Sequence, residues 1–210
     1  MKIKKLGHCC LIIEENGLRV LTDPGSFTVE AIKAAAGIDA ILITDEHGDH
    51  LHIDSVKVLL QNNPDIKILT QRSVQKILAD NGISSELLLD GQKTEIKGVA
   101  LEGCGEKHAV MHSSIPQSEN TGFIIAGKFF YPGDALTDPK RPIDILALPV
   151  AGPWVKISEA VDYALQLKPK SCFPVHDGTM TGSAHRIPAH VLPANGIEFV
   201  AMKGGDEHLF

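Results

Sequence analysis

The chain has 210 residues, of which 43% are hydrophobic and 22% charged, and a net charge of -6. These values describe an ordinary globular chain, read as one domain over residues 1–210. The acidic balance excludes nucleic-acid binding through a global positive field, and no stretch reaches the ~20 apolar residues of a membrane span.

The opening "MKIKKLGHCCLIIEENG" turns acidic after a short apolar run and lacks the apolar core of a signal peptide. "KIKK" and the later "DPKRP" are small basic clusters that read as solvated surface. Four cysteines, two of them adjacent (Cys9 and Cys10), fit neither a zinc-ribbon spacing nor a disulfide framework. The expectation is a cytoplasmic protein with reduced thiols. Cys9 and Cys10 read as small hydrophobes opening a buried strand.

Short apolar, β-branched runs between turn signals predict strands over 10–14, 18–22, 40–44, 67–70 and 99–102. Further strands are expected over 122–126, 129–131, 143–148, 172–175 and 198–201. "EENG" between the first two, and the Ala-Gly pair at 126–127, read as hairpin turns. Helical periodicity appears over 29–36, 53–61, 73–81 and 157–167. Hairpins first, then alternating strand and helix, then another hairpin suit two sheets packed together with helices outside.

Ten histidines are present, and their placement matters more than their number. In "ILITDEHGDHLH", His47, Asp49 and His50 follow an apolar strand. His108 and His112 follow the strand that starts near Val99, Asp134 follows "FFYPG", and His176 ends "SCFPVH". Four strands each deliver a ligand-type residue at the exit, where loops converge on one site in α/β proteins. Crowding His47, Asp49 and His50 into one turn is unfavourable unless a cation compensates. Imidazole and carboxylate without thiolate suit zinc, manganese or iron. The number of groups exceeds the needs of one tetrahedral ion, so a two-metal site fits, with Asp134 bridging ions roughly 3.5–4 Å apart.

These residues carry a family resemblance. "TDEHGDH" resembles the HxHxDH motif of the metallo-β-lactamase superfamily. "LGHCCLIIEENGLRVLTDPG" is similar to the opening hairpins of that fold. "FYPGDAL", "DILALPVAGPW" and "KPKSCFPVHDG" resemble the subgroup with ascorbate-6-phosphate lactonases and N-acyl-phosphatidylethanolamine phospholipases D. The resemblance implies an α+β fold, a four-layered αβ/βα sandwich with the metals at one edge between the sheets. It implies that Asp45, His47 and a middle histidine, His108 or His112, hold the first metal. Asp49, His50 and His176 would hold the second, with Asp134 between. The motif's first position is normally histidine and here is Asp45, a shorter, charged ligand that shifts the first site toward harder ions or weakens it. Asp23 is expected to accept the free N–H of a ligating histidine, and His8 and Asp177 to do similar work or touch substrate. His52 either begins the following helix or binds. His185, His190 and His208 read as structural or exposed, and Trp154 as a packing residue.

The implied function is metal-dependent hydrolysis. Water held between two zinc ions (manganese or iron being the other candidates) has its pKa lowered toward ~7, and Asp49 would orient the resulting hydroxide. Lactones, esters and phosphodiesters all suit this chemistry. The expected partner is a small anionic molecule, with no nucleic acid and no membrane; a homo-oligomer is compatible with the sequence. The rival expectation is a non-catalytic metal- or ligand-binding protein whose first metal site is degenerate at Asp45.

Overall fold

The computed structural model describes residues 1–180 and 185–210. The first half contains β1 (Lys2–Gly7), β2 (Cys10–Glu15), β3 (Leu18–Thr22), β4 (Ala40–Ile43), β5 (Lys67–Thr70) and β6 (Glu86–Leu87). Its helices are α1 (Val29–Ile32), α2 (Ile53–Asn62) and α3 (Arg72–Asp80). The second half contains β7 (Lys93–Ile96), β8 (Val99–Cys104), β9 (Gly122–Ile125), β10 (Phe129–Tyr131), β11 (Ile145–Pro149), β12 (Ser171–Val175) and β13 (Glu198–Phe199). Two helices, α4 (Ile157–Leu167) and α5 (Arg186–Ala194), belong to it, and β14 (Glu207–Leu209) returns to the first sheet.

The strands form two seven-stranded sheets, ordered β14-β1-β2-β3-β4-β5-β6 and β13-β12-β11-β10-β9-β8-β7. From β14 to β3 every pairing is antiparallel, and from β3 to β6 every pairing is parallel. The second sheet repeats this pattern, antiparallel from β7 to β10 and parallel from β10 to β13. Helices make the crossovers between the parallel strands, except that a loop over 132–144 joins β10 to β11. Three hairpins tighten through left-handed pairs, Asn16-Gly17 (φ 47 and 83), Lys97-Gly98 (φ 50 and 78) and Ala126-Gly127 (φ 53 and 67). That geometry matches the twist of the flanking strands.

Three apolar layers follow from the side-chain alternation of the strands. The central layer joins the sheets' inner faces, with Leu11, Ile13 and Leu42 against Phe123, Phe129 and Phe173. The outer face of the first sheet packs on α1–α3 through Ile41, Ile43, Val56 and Leu78. The outer face of the second packs on α4 and α5 through Leu146, Leu148, Ala164 and Leu192. The result is the expected four-layered αβ/βα sandwich. Within each sheet, β1, β3 and β4, and likewise β8, β10 and β12, run in the same direction, so their exits share one edge. No described helix is long and apolar enough to cross a membrane.

Four strands lie outside the sequence reading: β1, β6, β7 and β14. In β1 the alternation Ile3-Lys5 points inward, but three lysines in five residues hide it. The periodicity of α5 is obscured by Pro188 and Pro193, the first tolerated in the opening turn.

Candidate metal centre

Every strand exit on the shared edge contributes to one cluster. The exit of β4 is shaped by Asp45. Its Oδ1 accepts the backbone N–H of His47 at 2.8 Å and lies 2.9 Å from His47 Nδ1. The His50 and Leu51 N–H groups then donate to His47 O. This side-chain-capped turn is a natural use of aspartate, and it throws His47, Asp49 and His50 into the space between the sheets. Gly25, in the loop after β3, lies so close to the Asp49 backbone that a Cβ would overlap it. Ser26 N–H donates to Gly48 O across the same contact.

The ligand atoms of Asp45, His47 and His108 lie within 4.8 Å of one another, as do those of Asp45, His50 and Asp134. Asp134 sits at the centre. Its Oδ1 is 3.1 Å from His50 Nε2, and its Oδ2 is 3.0 Å from His176 Nε2 and 3.3 Å from His108 Nε2. Asp49 Oδ2 lies 3.3 Å from His176 Nε2 and 3.1 Å from His8 Nε2.

Hydrogen bonds set the tautomers. His50 Nδ1 is 2.7 Å from the buried Asp23 carboxylate, and His108 Nδ1 is 2.6 Å from Ala109 O. Both acceptors take the Nδ1 proton and leave Nε2 a free lone pair aimed at the cluster. Asp45 does the same for His47. His8 differs: its Nδ1 accepts the Gly178 N–H at 2.9 Å, so Nε2 carries the proton and donates to Asp49. His8 therefore orients Asp49 with both ring nitrogens engaged.

Among the described residues, five of the seven buried side-chain N or O atoms without a hydrogen-bond partner belong to this cluster. They are Asp45 Oδ2, His50 Nε2, Asp134 Oδ1 and both ring nitrogens of His176. Orphaned buried polar atoms are rare and demand a partner. Lone pairs converging from imidazole and carboxylate fit divalent cations.

Electrostatics agree. Burial opposes charge on His176, but Cys9 and the surrounding carboxylates outweigh it and raise it to about 11. Burial likewise opposes ionisation of Asp49 and Asp134, yet the neighbouring imidazoles hold both carboxyls well below their usual range. Without a cation, protons on the histidines balance the carboxylates. Three residues at the edge adopt left-handed backbone despite having side chains: His8 (φ 45), Asp23 (φ 38) and His176 (φ 57). Such strain concentrates at functional sites.

The structure thus brings together Asp45, His47, Asp49, His50, His108, Asp134 and His176, with His8 and Asp23 behind them. It leaves His112 exposed in the 105–121 loop, its Nδ1 2.7 Å from Ser114 Oγ. His52 caps α2, its Nδ1 accepting the Ser55 N–H. His190 is exposed, and His208 is part-buried against Phe210.

Two participants were not legible as such. Trp154 donates its indole N–H to Asp134 Oδ2 and stands edge-on to His108 and His176, so it does more than fill space. Lys5, from the "KIKK" cluster, is 1% exposed. It donates to both oxygens of Asp177 at 2.7 Å and to Pro174 O at 2.8 Å, while Asp177 Oδ2 also lies 2.8 Å from His185 Nε2. Asp177 therefore faces away from the cluster and anchors the segment that carries His176.

A profile for the beta-lactamase superfamily domain matches residues 2–176. Protein Rv0786c of Mycobacterium tuberculosis is 32% identical over 192 residues, covering 89% of each chain. A UPF0173 metal-dependent hydrolase of Pyrococcus abyssi is 26% identical over 227 residues, covering 99% of this chain and 98% of its own. Among solved structures, Igni18, a metallo hydrolase from Ignicoccus hospitalis, shares the fold with a TM-score of 0.79 at 18% identity, over 100% of this chain and 98% of that one. With the two-sheet sandwich and the histidine–carboxylate edge, this match means that the chain belongs to the metallo-β-lactamase superfamily.

Proposed function

We propose that this metal-dependent hydrolase cleaves a small anionic lactone, ester or phosphodiester, with two zinc ions held by the cluster. The single observation that carries this reading is the convergence of unpaired, buried ligand atoms from three strand exits, those of β4, β10 and β12. Asp45, His47 and His108 would hold one ion, Asp49, His50 and His176 the other, and Asp134 both. Bound cations lower the pKa of water and polarise the bond under attack.

The protein's own groups do the rest. Asp49, kept ionised and held by His8, accepts a hydrogen bond from the attacking water and fixes its direction. Trp154 walls one side and shields the Asp134 carboxylate from solvent. Among the described residues Asp45, Asp49 and Asp134 pair with histidines and with no lysine or arginine, so the anionic part of the substrate would be met by the cations themselves, which favours compact groups over extended polyanions. The four free, buried cysteines support a reducing compartment, the cytoplasm.

A second reading has its own support. Asp45 Oδ1 is committed to His47, which leaves only Oδ2 for an ion and would describe a binder with a weakened first site. Elemental analysis by plasma mass spectrometry decides, paired with turnover of bis-p-nitrophenyl phosphate, p-nitrophenyl acetate and γ-butyrolactone. Two ions per chain and chelator-sensitive turnover of any of the three support the hydrolase. One ion and no turnover, with a second ion gained in Asp45→His, favours the binder.

A further inference from the structure

Cys9 and Cys10 are consecutive, buried and functionally unlike. Cys10 faces the outer layer among Ile12, Ile32 and Leu21. Cys9 faces inward from a two-residue turn between β1 and β2, where the pairing register shifts by a bulge between Lys5 and Gly7. Bulges of this kind re-aim side chains at strand ends. Here the Cys9 sulfur is brought to the cluster: Sγ and one ring nitrogen each of His8, His50 and His176 lie within 4.8 Å of one another.

His8 has no lone pair left in that quartet, since Gly178 and Asp49 engage its two nitrogens. The open donors are Cys9 Sγ, His50 Nε2 and His176, both of whose ring nitrogens lack a partner. Those histidines are 0% and 5% exposed, and both Nε2 atoms lack a hydrogen-bond partner. A thiol held against two buried, unpaired imidazoles has the surroundings of a ligand.

We propose that Cys9 Sγ is a thiolate ligand of the ion held by His50 and His176, so that the two metal positions differ in kind. This rests on the reading that His50 and His176 hold a cation. On binding, the S–H bond breaks, its electron pair becomes the sulfur–metal bond and the proton leaves to solvent. The sulfur-bearing position then selects zinc or cobalt(II) over manganese, while the position at Asp45, His47 and His108, built from oxygen and nitrogen alone, accepts harder ions. The chain is therefore suited to two unlike ions.

The test is cobalt(II) titration of chelator-stripped protein, followed by the near-ultraviolet thiolate-to-cobalt charge-transfer band and the visible d–d bands. The unaltered chain and Cys10→Ser should develop the charge-transfer band, saturating at one cobalt per chain. Cys9→Ser should lack it and bind that cobalt roughly 10-fold or more weakly. X-ray absorption at the zinc edge of the unaltered holoprotein makes the test independent of how the variant folds, and a sulfur scatterer at about 2.3 Å is expected. Cobalt d–d bands without charge transfer, nitrogen and oxygen scatterers alone, or a band that survives Cys9→Ser would overturn the assignment and leave the metal centre standing. No cobalt bound at all would overturn both.

Discussion

Trp154 donates its indole N–H to Oδ2 of Asp134 across 2.9 Å. The same oxygen lies 3.0 Å from His176 Nε2. The chain's one tryptophan is thus hydrogen-bonded to the carboxylate that reaches both halves of the cluster. Its fluorescence should report loading directly: zinc added to the stripped protein should change the emission and saturate at the metal stoichiometry. Trp154→Phe removes the N–H but keeps the bulk, and groups that orient ligands typically carry 10–100-fold in affinity. A zinc competition titration should show weakening of about 10-fold; unchanged affinity would reduce Trp154 to packing.

Asp23 is a purely acceptor site. Its carboxylate takes the Thr44 N–H at 2.8 Å, the Thr44 hydroxyl at 2.8 Å, the His50 Nδ1 proton at 2.7 Å and the Tyr131 hydroxyl. Burial raises its carboxyl pKa against the pull of His50 and Tyr131. Asp23→Asn turns one acceptor oxygen into an NH2 that faces other donors. The loss should be about 3 kcal/mol of stability, as for a broken buried network, together with ~10–100-fold in metal affinity. Urea denaturation and zinc competition read the two effects separately. A variant with normal zinc affinity would show that His50 needs no help in choosing its tautomer.

Gly133 sits at φ 65, and a Cβ there would lie 2.7 Å from the Thr44 Cβ and overlap Asn120 Oδ1. That same Oδ1 accepts the Asp134 N–H at 2.9 Å, so the crowding falls on the clamp that aims Asp134. Gly133→Ala should lose about 1–3 kcal/mol from backbone strain, with a lower metal content from the displaced carboxylate. Thermal denaturation with elemental analysis checks both; full metal content after a drop in Tm would separate the strain from the centre.

Lys5 and Asp177 form a nearly dry ion pair, 1% and 12% exposed at their side chains. Lys5→Met leaves Asp177 with His185 alone and strips a donor from Pro174 O, just before His176. Removing one partner of a buried pair costs about 3 kcal/mol. The loss should appear in the denaturant midpoint without a change in the unfolding slope. Wild-type stability would mean that His185 can carry Asp177 unaided.

Element by element, the sequence showed most where patterns were unmixed. β4 is a continuous apolar run ending in "TDEHGDH", so both the strand and its cargo of ligands could be seen, and β3, β5, β10 and α4 fall at the expected residues. The order of exits, however, decides which histidine enters. His108 is turned in by Ala109 N–H donating to Asp134 O, a contact between residues 25 positions apart that spacing alone cannot reveal, and so His112 stayed an alternative. β1 was hidden because an inward lysine looks like surface until its partner Asp177 is known. Cys9 and Trp154 were read by residue type, which says how they pack but not what lies opposite.

Proton balance gives the last prediction. In the metal-free protein His176 is raised to about 11, and the Asp49 carboxyl is depressed. The raised histidine adds stability that is complete below its unfolded value of 6.5 and disappears as pH climbs toward about 11. The depressed carboxyl adds stability that is present above its unfolded value of 3.8 and disappears as pH falls below it. The metal-free chain should therefore draw on the cluster from roughly pH 4 upward, with the histidine share shrinking above pH 6.5. A cation must displace those imidazole protons, so zinc affinity should rise steadily from pH 6 to 9 and each binding event should release protons. Calorimetry in two buffers of different ionisation enthalpy measures that release, and heats identical in both would mean that the histidines are already neutral.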